Sequence, residues 1–351
     1  MSNEPTSPNS LPRIDALATL PIDPDGTVHL RPTSFPVSPY LSPEAQAWVA
    51  EHLHQNQSPE LQRRVDGAPS FFQGYIRRLA DLFPVVRRET TLGGVRVYDY
   101  LPKDGVAERN KNRALIELHA GAFHEGWPAC AEVESIPICG LGRIRVVAVD
   151  YRKAPEHAFP AASEDVAAVY RELLKAYPAE NIGLYGSSAG GQLTAQSLAW
   201  FQKHGLPRPG AAGIYSAGAT PNGPGDGSYF AMSAGEGIPP PPPKPADGRS
   251  AQRRDPSAYY AGARRDDPLL APVTSDEVLA KFPPTQIITG TRNFDISAAV
   301  FTHLRLKNLD VEAELVCFEG LFHYFFQNPD LPESRQAYAL MVKFFDRHLR
   351  V

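Results

Sequence analysis

The chain is poor in the features that mark membrane, nucleic-acid and metal-centred proteins. Its 351 residues include three cysteines, three methionines and three tryptophans. Cys130, Cys139 and Cys317 have neither metal-ligand nor redox spacing. An odd cysteine count with no export-type leader is the pattern of reduced thiols in a cytoplasmic protein. The N-terminus is polar and proline-broken, not basic and then apolar. No apolar run approaches the roughly 20 residues that span a bilayer. Lys and Arg number 35 against 39 Asp and Glu, a net charge of −4 with no block of either sign. Arg87-Arg88, Arg253-Arg254 and Arg264-Arg265 stand as isolated pairs. This balance argues against nucleic-acid and membrane-surface partners.

What is present is the composition of a soluble globular protein, 42% hydrophobic and 21% charged. The length suffices for one large α/β domain with a cap, or for two domains. Residues 1 to about 40 are rich in Pro, Ser and Asp and read as a surface wrap or a disordered arm. From Ser42 to Phe83 the pattern turns helical. Ser42-Pro43-Glu44 reads as a cap, a first-turn proline and an acid. Trp48, Val49 and Leu53, then Phe71, Phe72, Tyr75, Ile76 and Leu79, recur at helical spacing, as core or as the lining of a cap. Val85 to Leu101 alternates with period two around Gly93-Gly94, which predicts a β-hairpin.

Strands are then expected at Arg113–Leu118, Arg145–Val149, Ile182–Tyr185, Ala211–Tyr215, Gln286–Thr289 and Val311–Phe318. Helices fall between them: one capped by Ser163, one over Gln192–His204, one over Ser297–Leu309, and a closing one over Glu333–Leu349. Such alternation predicts a mostly parallel sheet covered on both faces. Gly218 to Asp267 breaks the rhythm with Gly- and Pro-rich sequence. Pro239 to Pro243 is expected as extended polyproline. The domain reading is an N-terminal segment and helical cap over 1–84, a core in two parts over 85–217 and 268–351, and a cap insertion over 218–267.

One stretch organises the chemistry. Gly186-Ser187-Ser188-Ala189-Gly190 follows an apolar strand and precedes a helix, which is the context of a G-x-S-x-G nucleophile elbow. The glycines leave the sharp turn free of β-carbons beside Ser188, and the helix dipole favours negative charge there. A serine hydroxyl needs a base, and His323 lies in the loop after the last strand, where the order Ser, acid, His puts it. His119-Ala120-Gly121-Ala122-Phe123 follows its strand as an oxyanion loop does, with the Ala189 N–H as a further donor. No metal or cofactor is implied.

These residues carry a family resemblance over roughly 85 to 351. The chain resembles the hormone-sensitive-lipase-like branch of the α/β-hydrolases, with its many bacterial carboxylesterases. The resemblance rests on the His119–Phe123 loop, Tyr151-Arg-x-Ala-Pro-Glu-His157 with Phe159-Pro-Ala-Ala162, the Gly186–Gly190 elbow, and the final Gly-x-x-His. It implies an α/β-hydrolase fold with a helical cap from the N-terminus and a mid-chain insertion. It also implies oxyanion N–H groups at Gly121, Ala122 and Ala189, short to medium acyl esters as substrates, and a homodimer through the sheet edge.

The sequence departs from that pattern twice. His-Gly-Gly-Gly reads His-Ala-Gly-Ala here, so the backbone is expected to avoid positive φ at 120 and 122. After Gly290-Thr-Arg, where the resemblance puts the acid, stands Asn293, with Asp295 two residues along. Three readings stay open. Asp295 swings in as the acid, or Asn293 holds His323 in a slow enzyme, or the protein no longer turns over. Asp295 otherwise reads as a helix-entry residue ahead of Ser297. Asparagine cannot stabilise imidazolium by charge, and its NH₂ turned to the ring would select the wrong tautomer, which costs about 10⁴ in turnover in a serine protease. Two function classes follow: a serine carboxylesterase, or an impaired small-molecule binding protein on the same scaffold.

Overall fold

A computed structural model of the chain describes residues 23–24, 34–55, 64–221, 225–236 and 256–350. The proline run at 239–243 and nearly all of the N-terminal arm lie outside the described residues. From Val37 onward the chain forms one compact unit. Its helices and strands in order are α1 (Pro43–Gln55), β1 (Arg64–Val65), β2 (Ala68–Pro69), α2 (Phe72–Leu82), β3 (Val85–Leu92), β4 (Val95–Pro102), β5 (Ala114–Leu118) and α3 (Ala129–Gly142). There follow β6 (Arg145–Val149), α4 (Ala161–Leu173), β7 (Ile182–Ser187), α5 (Ala189–Lys203), β8 (Ala211–Tyr215) and α6 (Asp226–Ala231). The chain ends with α7 (Asp276–Leu279), β9 (Thr285–Gly290), α8 (Ile296–Asn308), β10 (Ala313–Phe318) and α9 (Pro332–His348).

Eight strands make one sheet in the order β10-β9-β8-β7-β5-β6-β4-β3. β4 runs antiparallel to both β3 and β6, and the strands from β6 to β10 are parallel. Parallel neighbours need crossovers, and the helices that supply them cover both faces. Strand parity sorts the side chains. Leu115, Val146, Ala148 and Tyr185 face a core shared with α1, α2, α3 and α9. Ile116, Val147, Val149 and Leu184 face a second core shared with α4, α5, α7 and α8. With both faces covered, β5 and β7 are buried along their whole length, which is why they read as mainly apolar runs, interrupted in β5 by the buried Glu117.

Ser42 caps α1 as expected, its Oγ accepting from the Ala45 N–H at 3.1 Å. Two expected boundaries need correction. Ser163 does not cap its helix: α4 begins at Ala161, and Ser163 lies buried within the first turn. The Tyr259 hydroxyl, far along the chain, accepts the Ala162 N–H at 2.9 Å and does the capping. α5 begins at Ala189, three residues before the expected Gln192. Glycine propensity argues against a helix over Gly190-Gly191, but only glycine lets α5 lie this close to the sheet. A β-carbon on Gly190 would stand 1.7 Å from the Leu118 carbonyl oxygen.

Candidate active site

The sheet brings four segments to the C-terminal ends of its parallel strands. Ser188 sits between β7 and α5 at φ 56°, ψ −120°, a conformation that L-residues seldom adopt. Its N–H donates to the Tyr215 carbonyl on β8 at 2.8 Å. One residue on, Ser216 Oγ accepts the Tyr324 N–H at 3.0 Å. The end of β8 therefore ties the serine and the loop carrying His323 to one anchor. α1 closes the other flank of that loop, with the Phe322 ring 4.9 Å from His52 and 6.0 Å from Trp48.

The His119–Phe123 loop follows β5, next to β7. Ala120 does not take a positive φ, but Ala122 does, at 51°, and so does Phe123 at 60°. This corrects the expectation for 122. The loop curls so that the His124 and Glu125 N–H groups both donate to the Gly121 carbonyl at 3.0 Å, and the Phe123 carbonyl accepts the Ala154 N–H at 2.8 Å. An alanine in left-handed geometry costs roughly 1–2 kcal/mol, which these bonds offset. Gly121, at φ 129°, has no such latitude, since a β-carbon would stand 2.1 Å from the Glu125 oxygen. Within this turn the Gly121 and Ala122 N–H groups take no main-chain acceptor among the described residues. Ala189, first residue of α5, leaves its N–H free by helix geometry. Arg64 pairs with Glu125 at 3.0 Å and Trp127 packs on Tyr98, so both belong to the loop's outer support.

The acid turn answers the tautomer question. His323 Nδ1 lies 2.8 Å from Asn293 Oδ1. The same Oδ1 accepts the Asp295 N–H at 3.0 Å, and Asn293 Nδ2 donates to Thr289 Oγ1 at 2.8 Å. A main-chain N–H can only donate, so the atom facing it must be the amide oxygen. Flipping the amide would set NH₂ against N–H. The oxygen therefore faces the ring, Nδ1 carries the proton, and Nε2 is left with its lone pair.

Asp295 is close as well, with Oδ2 3.7 Å from His323 Nδ1. Asp295 is the helix-entry residue of α8, though its side chain makes no capping bond and its main-chain carbonyl accepts the Ala299 N–H at 3.0 Å. Burial pushes the Asp295 carboxyl up to about 7 and the His323 imidazole down to about 3. A proton placed on His323 would thus have the Asp295 carboxyl 3.7 Å away to answer its charge. Phe294 stacks on the imidazole with ring centres 4.2 Å apart. Asn293 is fully buried.

Sequence reasoning missed Thr289, Ser216, Phe294 and Tyr259. None stands in a motif, and each acts by where the fold brings it. Tyr259 stacks on Phe123 at 4.4 Å, and the Tyr260 hydroxyl donates to Gln192 Oε1 at 2.6 Å. The chain entering from 256 therefore packs directly on the loop after β5.

A family model described as the alpha/beta hydrolase fold matches residues 115–327. The chain belongs to the α/β-hydrolase family. Its relatives mark this hydrolase as a carboxylic ester hydrolase. An acetyl-hydrolase of Streptomyces hygroscopicus is 32% identical over 235 residues, 65% of this chain and 74% of that protein. An esterase of Acinetobacter venetianus is 24% identical over 297 residues, 79% and 88% of the two chains. A solved esterase structure superposes with TM-score 0.73 at 28% identity, covering 92% of this hydrolase and 99% of that chain. A second, from an esterase of the bacterial hormone-sensitive lipase family, gives TM-score 0.70 at 24% identity and supports the fold.

Proposed function

We propose that this hydrolase is a serine carboxylesterase acting on short to medium acyl esters through an acyl-enzyme. Ser188 Oγ attacks the ester carbonyl carbon while His323 Nε2 takes its proton. The N–H groups of Gly121, Ala122 and Ala189 hold the oxyanion of the tetrahedral intermediate. Collapse breaks the bond to the alkoxy oxygen, and His323 returns the proton to it as the alcohol leaves. Water, deprotonated by the same nitrogen, then attacks the acyl-enzyme and releases the acid and Ser188. Asn293 orients the ring, and Asp295 supplies the negative charge that favours imidazolium. The named relatives, an acetyl-hydrolase and esterases, support small acyl groups. The described residues within 37–84 and 218–267 are read as cap; the rest of the expected cap segments 1–84 and 218–267 lies largely outside the described residues.

The observation that carries this reading is the Asn293 oxygen held toward His323 by the Asp295 N–H, which leaves the lone pair on Nε2. Hydrolysis of p-nitrophenyl butyrate tests it. The wild type should show an acyl-enzyme burst that Ser188→Ala abolishes, and a wild type with neither burst nor turnover sinks the proposal. Asn293 also favours a second reading, a protein that binds such esters and turns them over poorly. Measured ester affinity with negligible turnover, restored by Asn293→Asp, would select it.

A further inference from the structure

α3 passes behind the site, and its side chains are almost all apolar and buried. Its one fully buried carboxyl among the described residues is Glu134, 4% exposed and set among Val133, Ile136 and Ile138. Burying a carboxyl is costly unless its lone pairs are used. Glu134 Oε1 accepts the Ala120 N–H at 2.9 Å and the Tyr324 hydroxyl at 2.7 Å. The Glu134 main-chain carbonyl accepts the Tyr185 hydroxyl at 3.2 Å. The Glu134 carboxyl also interacts with the side chain and main chain of Ser187, and the two residues line one small cavity with Pro137, Tyr215 and Phe326.

The placement of these contacts is specific. Ala120 precedes Gly121 of the oxyanion loop, Ser187 precedes the nucleophile, and Tyr324 follows the base. One carboxyl thus meets, one residue away, each of the three segments whose mutual spacing sets the reaction geometry. We propose that Glu134 is a positioning residue, whose carboxyl fixes the oxyanion loop, the elbow and the histidine loop relative to one another. This rests on Ser188 and His323 acting as proposed above.

Burial pushes the Glu134 carboxyl up to about 8, which keeps it protonated at pH 7, and pushes its neighbour Glu117 on β5 well above the ordinary carboxyl range. The other titratable groups facing it, Cys130, Tyr151, Tyr185 and Tyr324, are likewise kept neutral by burial. A protonated carboxyl presents one accepting oxygen and one O–H. Glutamine reproduces that pattern, and leucine keeps only the volume.

The test compares Glu134→Gln and Glu134→Leu for kcat and KM on p-nitrophenyl butyrate. It adds Tm and the rate of Ser188 labelling by diethyl p-nitrophenyl phosphate, read by mass spectrometry. Glutamine should keep kcat and labelling within about threefold. Leucine should lower both by about 10²-fold with KM little changed, the scale of losing one oxyanion donor. A leucine variant with wild-type kcat and only a lower Tm overturns the proposal, as does a glutamine variant as slow as leucine. Should leucine prevent folding, Tyr324→Phe decides: it should cut kcat by about fivefold at constant KM, since one hydrogen bond is lost, and an unchanged kcat overturns the proposal. A wild type that is not labelled at Ser188 removes the nucleophile assignment and this inference together. A labelled wild type with indifferent variants removes Glu134 alone.

Discussion

The β7–α5 and β9–α8 turns flank β8 at the same end of the sheet, and they fix their side chains by opposite means. At the elbow the backbone does it. Ser188 is held in an unfavourable φ,ψ region, and Gly190 lets α5 press against the Leu118 carbonyl. At the acid turn the side chains do it, through a chain from Thr289 Oγ1 to the Asn293 amide to His323 Nδ1, with the Asp295 N–H as the lock. A position fixed by backbone tolerates no change of residue. One fixed by hydrogen bonds tolerates an isostere, because a carboxylate accepts from the same two N–H groups.

That contrast can be broken from either side. The largest effect is expected at the elbow. Ser188→Ala should lower kcat by about 10⁴-fold or more, since the residual rate then comes from binding and the oxyanion hole alone. The measurement is p-nitrophenyl butyrate turnover at matched Tm. Gly190→Ala should fail differently, with little soluble protein and no active fraction, because main chain and not a movable side chain blocks the new methyl. A soluble, active Gly190→Ala would show that the elbow is softer than its geometry implies.

The acid turn should respond mildly and in the other direction. Asn293→Asp should raise kcat by about 10-fold. That is far less than the factor of about 10⁴ seen where asparagine imposes the wrong tautomer, because the tautomer here is already right. Asp295→Asn should act through pH. Ionisation of Asp295 makes kcat/KM rise through about pH 7 in the wild type, and the substitution should flatten that limb. Stability moves oppositely. The folded carboxyl holds its proton above its unfolded value, so the wild type loses stability between about pH 4 and 7 as unfolding releases the burial penalty. Asp295→Asn should therefore show a larger gain in Tm at pH 8 than at pH 5. Smallest of all, Thr289→Val removes one bond to the Asn293 amide and should cost about 1 kcal/mol of stability with a few-fold loss of rate.

The same contrast explains what could be read beforehand. The strands at 145–149 and 211–215, the hairpin at Gly93-Gly94 and the elbow context were legible because periodicity and turn chemistry are local. α5 began earlier than its glycines suggested, since a close approach to Leu118 outweighs propensity. Ser163 looked like a cap only because Tyr259 lies nearly a hundred residues away in sequence. The positive φ of Ala122 depends on bonds from Ala154, His124 and Glu125 that no pentapeptide encodes. At the acid position the sequence could name Asn293 and Asp295, but the direction of an amide is set by a main-chain N–H and is invisible in the letters. Glu134 gave no signal, since nothing in the letters separates it from Glu132 two residues earlier in the same largely apolar helix.

The Asp295 N–H that orients Asn293 also bears on how the protein can change over generations. Asparagine and aspartate codons differ by a single base, and this turn receives either side chain without rearrangement. On the proposed mechanism, hydrolytic rate at this locus would be adjustable by one transition in the gene, in both directions.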